Sequence, residues 1–247
     1  MAKSRRHQQH FRRILLKLSG EAFCHSDGFG VDPDALDQIA REIASAHGSG
    51  VQMAVVVGGG NIIRGASLAK QGVVHQATAD YMGMLGTVIN GMALKEGLER
   101  AGKEARCMTA IDIPAVAEPF IRLRAIRHMD LGRIVVLAGG TGNPFFTTDT
   151  CAALRATELE CDAVLKATKV DGVYTADPNK DPKAELFDTL TFDDALNRKL
   201  EVMDRTALTM CHDRGIDIIV FNYRDEGAIA RVVGGAPLGT SVTRTSD

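Results

Sequence analysis

Short apolar runs alternate with amphipathic helical patterns along this chain, and this alternation restricts the fold more than any other feature. Six runs are rich in Val, Ile and Leu, and several are continuously apolar, as strands buried on both faces should be. They cover residues 13–19, 52–58, 105–109, 134–138, 163–167 and 218–222. This order predicts an α/β protein, a three-layer αβα sandwich around a mainly parallel central sheet.

Capping residues and apolar spacing predict four helices between these strands. Asp32 and Pro33 begin the first, because an aspartate cap followed by a first-turn proline is a helix start signal. The second carries an apolar stripe of Met82, Leu85, Ile89 and Met92. The third begins after residues 147–149, and the fourth covers residues 202–214. Without a flexible linker between these elements, the 247 residues are expected to form one domain, preceded by a solvated basic tail over residues 1–13.

Charge and cysteine usage exclude several classes of protein. The chain has 29 Lys and Arg against 31 Asp and Glu, so its net charge of −2 argues against a nucleic-acid-binding surface. No apolar run approaches the ~20 residues of a transmembrane helix, so no membrane partner is expected. The five cysteines form no C-x-x-C pair, which predicts packed, reduced thiols in a cytoplasmic protein and no metal site.

Two predicted strands run into turns that suit phosphate groups. The first continues into Lys17, Leu18, Ser19 and Gly20, and the second into Gly58, Gly59, Gly60 and Asn61, with Arg64 close behind. Parallel sheets bind ligands beyond the carboxyl ends of their strands, and glycines leave backbone N–H groups open to anions. A surface lysine and a tight strand-to-helix turn would explain the same residues, and the patterns GxxxxGK[ST] and GxGxxG are absent.

Two further strand ends carry denser signals. Residues 139–149 combine glycines, threonines, Asn143, Phe145 and Phe146, a composition that suits a nucleobase or another polar small ligand. Capping of the next helix explains only the end of that stretch. Residues 166–178 contain two lysines, Tyr174 and Asp177, which would fit phosphates, a base and a ribose, or equally a solvated turn before a hairpin.

At these positions the chain resembles the bacterial uridylate (UMP) kinases of the amino acid kinase superfamily. The resemblance runs from residue 14 to about residue 240. Its most specific stretches are 141–149 and 166–178, and residues 80–85 also match. It implies an amino acid kinase-like fold and ATP-dependent phosphorylation of UMP to UDP by direct in-line transfer. It also implies a UMP-binding side over about residues 14–160 and an ATP-binding side over about residues 161–247.

The resemblance also assigns individual residues. The catalytic residues would be Lys17, Lys166 and Asp149, with Asp149 organising the two lysines. The ATP-binding residues would be Lys17, Leu18, Ser19, Gly20, Gly60, Arg64, Thr168, Tyr174 and Asp177. The UMP-binding residues would be Gly59, Asp80, Thr141, Gly142, Asn143, Pro144, Phe145, Phe146, Thr147 and Thr148. Mg²⁺ would arrive with ATP, held largely by phosphates and water.

Regulation and assembly follow from the same resemblance. The segment formed by His25, Ser26, Asp27, Gly28, Phe29 and Gly30 corresponds to the family's region of allosteric activation by GTP. The family is inhibited by UTP and forms homohexamers. The chain departs at Gln76, where the family usually has an arginine four residues before the aspartate. Two other readings stay open: a related small-molecule kinase, and a non-catalytic nucleotide-binding or storage protein of the same fold.

Overall fold

The computed structural model describes residues 11–25, 28–178 and 180–245, and within these ranges it contains nine strands and eight α-helices. The strands are β1 (Arg13–Leu18), β2 (Gln52–Val57), β3 (Ala105–Thr109), β4 (Glu118–Pro119), β5 (Ile134–Ala138), β6 (Ala163–Thr168), β7 (Thr189–Thr191), β8 (Asp217–Asn222) and β9 (Thr240–Thr243). The helices are α1 (Pro33–His47), α2 (Gly65–Lys70), α3 (Gln76–Arg100), α4 (Arg122–Asp130), α5 (Thr148–Glu158), α6 (Phe192–Asn197), α7 (Arg205–Arg214) and α8 (Ala228–Val233). A short 3₁₀ helix, Gly20–Phe23, follows β1.

All nine strands belong to one sheet with the order β4-β3-β5-β2-β1-β6-β8-β9-β7. The pairs from β4 to β8 are parallel, whereas β9 runs antiparallel to β8 and carries β7 alongside it. β1 therefore lies at the centre, between β2 and β6, and its carboxyl end opens onto the same edge as theirs. This edge is where side chains of distant parts of the chain meet.

Helices cover both faces of the sheet and bury two apolar layers. One layer packs α1, α3 and α8 against alternate strand residues such as Leu16 and Val55. The other packs α4, α5, α6 and α7 against the residues between them, such as Leu15 and Val56. Because side chains alternate across a strand, a central strand must be apolar at nearly every position. The three-layer αβα sandwich expected from the sequence is confirmed.

The six predicted strands are confirmed to within one residue at each end. Three strands were not predicted, β4, β7 and β9, because they have only two to four residues and no clear apolar run. The fourth predicted helix begins at Arg205 rather than at residue 202. Asp204 caps it by accepting a hydrogen bond from the Ala207 amide, so the true helix start carries an ordinary capping signal.

The apolar stripe on α3 lies on a helix but does not face the core. Leu85, Ile89 and Met92 are each more than a third exposed, and Tyr81 lies on the same helix with 45% of its surface exposed. The buried residues of α3 are others, including Val88, Leu94 and Leu98. Apolar residues at helical spacing indicate a helix face that packs against something. The spacing does not distinguish the chain's own core from another surface.

Arg13 corrects the predicted boundary of the basic tail. It is only 4% exposed and begins β1, with its Nε donating to Gln52 Oε1 at 2.7 Å. Its guanidinium also donates to the Leu159 carbonyl, so this arginine joins two layers of the fold and is not solvated. Residues 1–10 of that tail lie outside the described part of the chain.

Four of the five cysteines are buried, as predicted for packed thiols, and Cys24 is half-buried. Burial raises the pKa of Cys107 and Cys151 to about 11, and that of Cys161 and Cys211 to about 12. These four thiols therefore stay protonated near neutral pH, which suppresses their reactivity. In the described ranges, no helix is both long enough and apolar enough to cross a membrane.

Candidate active site

Two lysines meet on one carboxylate at the carboxyl edge of the sheet. Asp149 Oδ1 lies 2.7 Å from Lys17 Nζ, and Asp149 Oδ2 lies 2.8 Å from Lys166 Nζ. Lys166 also donates to the Val202 carbonyl at 2.6 Å. All three side chains are at least four-fifths buried, so the group carries a net charge of +1 in a place with little water. Such a site favours a polyanion placed against the lysines.

Burial acts on these charges in opposite ways. It would raise the pKa of Asp149, but the adjacent Lys17 and Lys166 outweigh it and hold that pKa below its usual value. Burial lowers the pKa of Lys166 below its usual value, although Asp149 acts in the other direction. Asp149 is therefore an anion that opposes the loss of the Lys166 proton, rather than a group poised to accept a proton.

The local sequence places Asp149 in the first turn of α5. Thr147 is the N-cap, and its hydroxyl accepts hydrogen bonds from the Asp149 and Thr150 amides. Asp204 then fixes this cap, because its carboxylate accepts from the Thr147 and Thr150 hydroxyls. The helix begins at Thr148, two residues earlier than predicted, and Thr147, one of the three predicted capping side chains, is its N-cap. Nothing in the sequence indicated that Asp204 binds the cap of α5. An aspartate before α7 is, however, an ordinary signal for the start of that helix.

A cleft of about 430 Å³ opens beside the lysines, between the turns that follow β1, β2 and β5. Its lining includes ten of the residues predicted to bind nucleotides: Lys17, Ser19, Gly20, Gly59, Gly60, Asp80, Thr141, Phe146, Thr147 and Thr148. Gly59 lies so close to α3 that a Cβ there would sit 2.6 Å from the Gly83 carbonyl oxygen. The glycine turn is thus pressed against the helix, with backbone groups in place of side chains at the cleft wall.

Asp80 joins α3 to the loop that precedes α5. Its Oδ2 accepts a hydrogen bond from the Phe145 amide at 2.8 Å, and its Oδ1 accepts from Gln76 Nε2 at 2.7 Å. Phe145 has a φ of 71°, a conformation that a large side chain rarely adopts, and its ring is 74% exposed. The hydrogen bond to Asp80 holds this strained turn beside the cleft.

Gly142, Asn143, Pro144 and Phe145 belong to the same loop but do not line the cleft. Leu18 is fully buried in the core, so only its backbone can reach a ligand. Arg64 lies exposed next to the cleft, at the start of α2. These residues of the predicted site are neighbours of the cleft rather than parts of its wall.

Thr168, Tyr174 and Asp177 lie apart from the cleft, beyond the carboxyl end of β6. Thr168 donates through its hydroxyl to the Val170 carbonyl, and the Tyr174 hydroxyl donates to Asp171 at 3.4 Å. Asp177 lies 3.2 Å from Lys180 Nζ. Lys169 bridges this region to the 3₁₀ helix after β1, because its Nζ lies 2.8 Å from Glu21 Oε2. The hydrogen bond from Lys169 lowers the pKa of Glu21.

The predicted effector segment lies next to the cap of α1. His25 Nε2 is 3.1 Å from Asp32 Oδ2, and Phe29 is 82% exposed. The Gly30 amide donates to the Asn61 carbonyl at 2.8 Å, so the end of this segment touches the turn after β2. Ser26 and Asp27 lie outside the described residues.

Residues 12–222 match the family model described as the amino acid kinase family. The chain belongs to the amino acid kinase family. It is also similar to solved structures of the UMP kinases from Bacillus anthracis and Ureaplasma parvum. The first is 40% identical, with a TM-score of 0.93 over 96% of this chain and 98% of that one. The second is 34% identical, with a TM-score of 0.88 over 94% and 98%.

A third solved structure is more distant. The uridylate kinase from Archaeoglobus fulgidus is 27% identical, with a TM-score of 0.73 over 93% of this chain and 99% of that chain. The likeness extends over nearly the full length of all three. The amino acid kinase described here therefore has the whole fold of these proteins, including the sheet edge where the lysines meet.

The carboxylates around the cleft of this amino acid kinase already have partners. Asp149 binds the two lysines, Asp80 binds the Phe145 amide and Gln76, and Glu21 binds Lys169. Divalent cations such as Mg²⁺ bind nucleotides through one or two carboxylates, the phosphates and water. This donor set fits a cation that is carried in on a nucleotide, with the protein adding few ligands of its own.

Proposed function

We propose that this amino acid kinase transfers the terminal phosphoryl group of ATP to UMP by direct in-line displacement, giving ADP and UDP. The observation that carries the proposal is the placement of Lys17 and Lys166 on Asp149, at the edge of a cleft walled by glycine turns. Two of the similar solved structures are UMP kinases and the third is a uridylate kinase, which supports UMP as the acceptor. The reaction is a step in pyrimidine nucleotide biosynthesis.

UMP is assigned to the part of the cleft formed by residues 14–160. Asp80 with the loop 141–148 would hold its uridine, and the Gly59 turn and the first turn of α5 would face its phosphate. The N-terminus of an α-helix is a favourable place for an anion, and α5 has eleven residues. The aromatic ring of Phe146 supplies an apolar wall.

ATP is assigned to the side formed by residues 161–247, together with the turns after β1 and β2. Thr168, Tyr174 and Asp177 would hold the nucleoside beyond β6, and Ser19, Gly20, Gly60 and Arg64 would face the phosphates. The two nucleotides would then approach each other above the lysine pair. Lys17 and Lys166 lie where this division places the transferred group.

The chemistry needs charge neutralisation and no general base. The acceptor is a phosphate monoester with a second pKa of about 6, so it is mostly deprotonated at neutral pH. Lys17, Lys166 and the glycine amides offset the repulsion between the two polyanions and the charge on the equatorial oxygens in transfer. Asp149 holds both lysines in place and opposes the loss of the Lys166 proton. A nucleotide-associated Mg²⁺ would supply further neutralisation at the β- and γ-phosphates.

Release of ADP from Mg-ATP, measured with different acceptors, tests this proposal. We expect little release without acceptor, strong stimulation by UMP, and weak stimulation by CMP, dUMP or AMP. Equal rates with CMP would indicate a broad pyrimidine kinase. Stimulation only by other small phosphate or carboxylate acceptors would indicate a related kinase, and nucleotide binding without turnover would indicate a binding or storage protein.

Assembly and regulation extend the proposal. The exposed apolar side chains of Tyr81, Leu85, Ile89 and Met92 on α3 fit a contact between copies of the chain, and we propose a homohexamer. GTP as activator, acting through the segment 25–30, and UTP as inhibitor are the effectors proposed from the resemblance. A cytoplasmic location is proposed from the packed, reduced cysteines.

A further inference from the structure

A closed pair of asparagine amides lies directly behind the glycine turns. Asn90, in the middle of α3, is fully buried, and Asn61, at the end of the turn after β2, is 3% exposed. Asn90 Nδ2 donates to Asn61 Oδ1 at 2.6 Å, and Asn61 Nδ2 donates to Asn90 Oδ1 at 3.1 Å. The two side chains thus bind each other reciprocally.

The remaining amide hydrogens of the pair bind the backbone. Asn90 Nδ2 donates to the Gly58 carbonyl at 2.7 Å, and Asn61 Nδ2 donates to the Gly30 carbonyl at 2.7 Å. Both side-chain NH₂ groups therefore use both of their hydrogens, and both amide oxygens accept. A fully satisfied buried polar group rigidifies its surroundings, whereas a partly satisfied one is costly.

Asn61 lies where the turn after β1 and the glycine turn after β2 approach each other most closely. A Cβ at Gly20 would lie 2.4 Å from Asn61 Oδ1 and 2.7 Å from the Gly60 amide nitrogen. A Cβ at Gly58 would lie 2.6 Å from the Gly20 nitrogen. The turns after β1 and β2 thus pack backbone against backbone, with Asn61 in contact with both.

We infer that Asn61 and Asn90 are positioning residues for phosphoryl transfer: the amide pair fixes the Gly20 and 58–60 turns so that the N–H groups of Gly20, Gly59 and Gly60 face the phosphates. The Gly58 N–H is bound to the Leu18 carbonyl and holds the start of the turn against β1. This inference rests on the proposed function. Neither asparagine lines the cleft, and the pair acts through Gly58 and Gly20, which do. Asn61 also binds both backbone groups of Gly30, so the same residue holds the end of the segment 25–30 and the glycine turns.

Removing the donors without removing volume tests the role. In Asn90→Leu the Gly58 carbonyl loses its donor, and kcat should fall about 10- to 100-fold, the loss expected when reacting groups are slightly misplaced. Leu98→Ala is the matched control, because it destabilises the same helix from a fully buried position away from the turns. At a temperature where both variants are folded, the control should keep its kcat.

A double variant separates positioning from stability. Asn61→Leu with Asn90→Leu removes both amides, so no unpaired side-chain amide stays buried, and part of the thermal stability lost by either single change should return. If the pair merely stabilises the fold, kcat recovers with the melting temperature. If it positions the turns, kcat stays low because Gly58 and Gly30 remain without their donors. Asn90→Ser is the milder variant if the leucine substitution does not fold.

Hydrogen exchange supplies a readout that does not depend on the reaction. In Asn90→Leu or Asn90→Ser, peptides covering residues 58–62 should exchange faster, while Leu98→Ala should leave them unchanged relative to the rest of the chain. Unchanged exchange in that turn, or a kcat that follows the melting temperature, would overturn the inference. A wild-type chain without UMP-dependent ADP release, but with the expected exchange pattern, would instead contradict the proposed function.

Discussion

Lys17 and Lys166 are register partners on the adjacent parallel strands β1 and β6. Paired residues of parallel strands project from the same face of a sheet, so the two ammonium groups emerge side by side at its carboxyl edge. The two neighbouring ammonium groups repel each other, and the Asp149 carboxylate binds both of them. One carboxylate between two register partners is the arrangement behind the expected effects of substituting Lys17, Lys166 and Asp149.

Lys17→Ala should lower turnover far more than it weakens UMP binding. In the proposed reaction Lys17 faces the transferred phosphoryl group, so its loss would remove charge stabilisation that grows in the transition state. We expect kcat to fall by about 10²–10³-fold, as for other preorganised groups of this kind. Steady-state kinetics and equilibrium binding of UMP would measure the two effects separately.

Lys103→Ala is the control for that substitution. Lys103 precedes β3 at the opposite edge of the sheet and should leave turnover unchanged. A Lys17→Ala enzyme with near-normal turnover, or one whose defect lies only in UMP affinity, would contradict the assigned role.

The pH dependence of turnover should show the deprotonation of Lys166 as a loss of activity at alkaline pH. Burial lowers the pKa of this lysine below its usual 10.5, so its proton is lost, and activity falls, before ordinary lysines titrate. Asp149 opposes that shift. Asp149→Asn should therefore move the alkaline limb of the kcat profile to lower pH, in addition to lowering its plateau.

Profiles of kcat against pH for the wild type and Asp149→Asn would check this shift. Lys166→Arg is informative beside them, because a guanidinium stays charged over the whole range and should remove the alkaline limb. An alkaline limb at the same pH in the wild type and Asp149→Asn would show that another group controls it.

Gln76→Ala should raise the KM for UMP while leaving that for ATP unchanged. Gln76 donates to Asp80 Oδ1, and Asp80 holds the Phe145 turn at the acceptor end of the cleft. Loss of one such hydrogen bond, worth about 1 kcal/mol, corresponds to a change of roughly fivefold. Gln71→Ala removes a similar exposed hydrogen bond, to Ser67, and should change neither KM.

Substitution of the exposed α3 face should disrupt assembly. Leu85→Glu and Ile89→Glu place charges where apolar side chains are about half exposed, so the mass in solution should fall below that of the wild type. Leu123→Glu changes an equally apolar and more exposed residue on α4 and should leave the mass unchanged. Light scattering after size-exclusion chromatography would measure it, and an unaltered assembly would exclude this face.

Local patterns predicted the central sheet because its strands are long and apolar, and the shared carboxyl edge then brought the turns after β1, β2, β5 and β6 together. The cap at Thr147 was likewise a local signal. Lys17, Lys166 and Asp149 received their roles from the resemblance, since no spacing rule joins residues so distant in the chain.

Other features have no local signal at all. Asn61 and Asn90 pair only because α3 packs against the turn after β2, and neither residue stands out in its own segment. The short strands β7 and β9 form only by pairing with strands that are distant in the sequence. The apolar stripe of α3 was recognised, but periodicity alone could not tell an inward face from an outward one.

The central position of β1 has a consequence for synthesis of the chain. Among the described strands β1 comes first in the chain, and it acquires β2 on one side early but waits for β6 until residues 163–168 have been made. During that interval one edge of a strand whose six residues include four apolar ones lacks its permanent neighbour, the kind of edge that promotes aggregation. Chains truncated before residue 163 should therefore need chaperones to stay in solution, whereas the 247-residue chain should not.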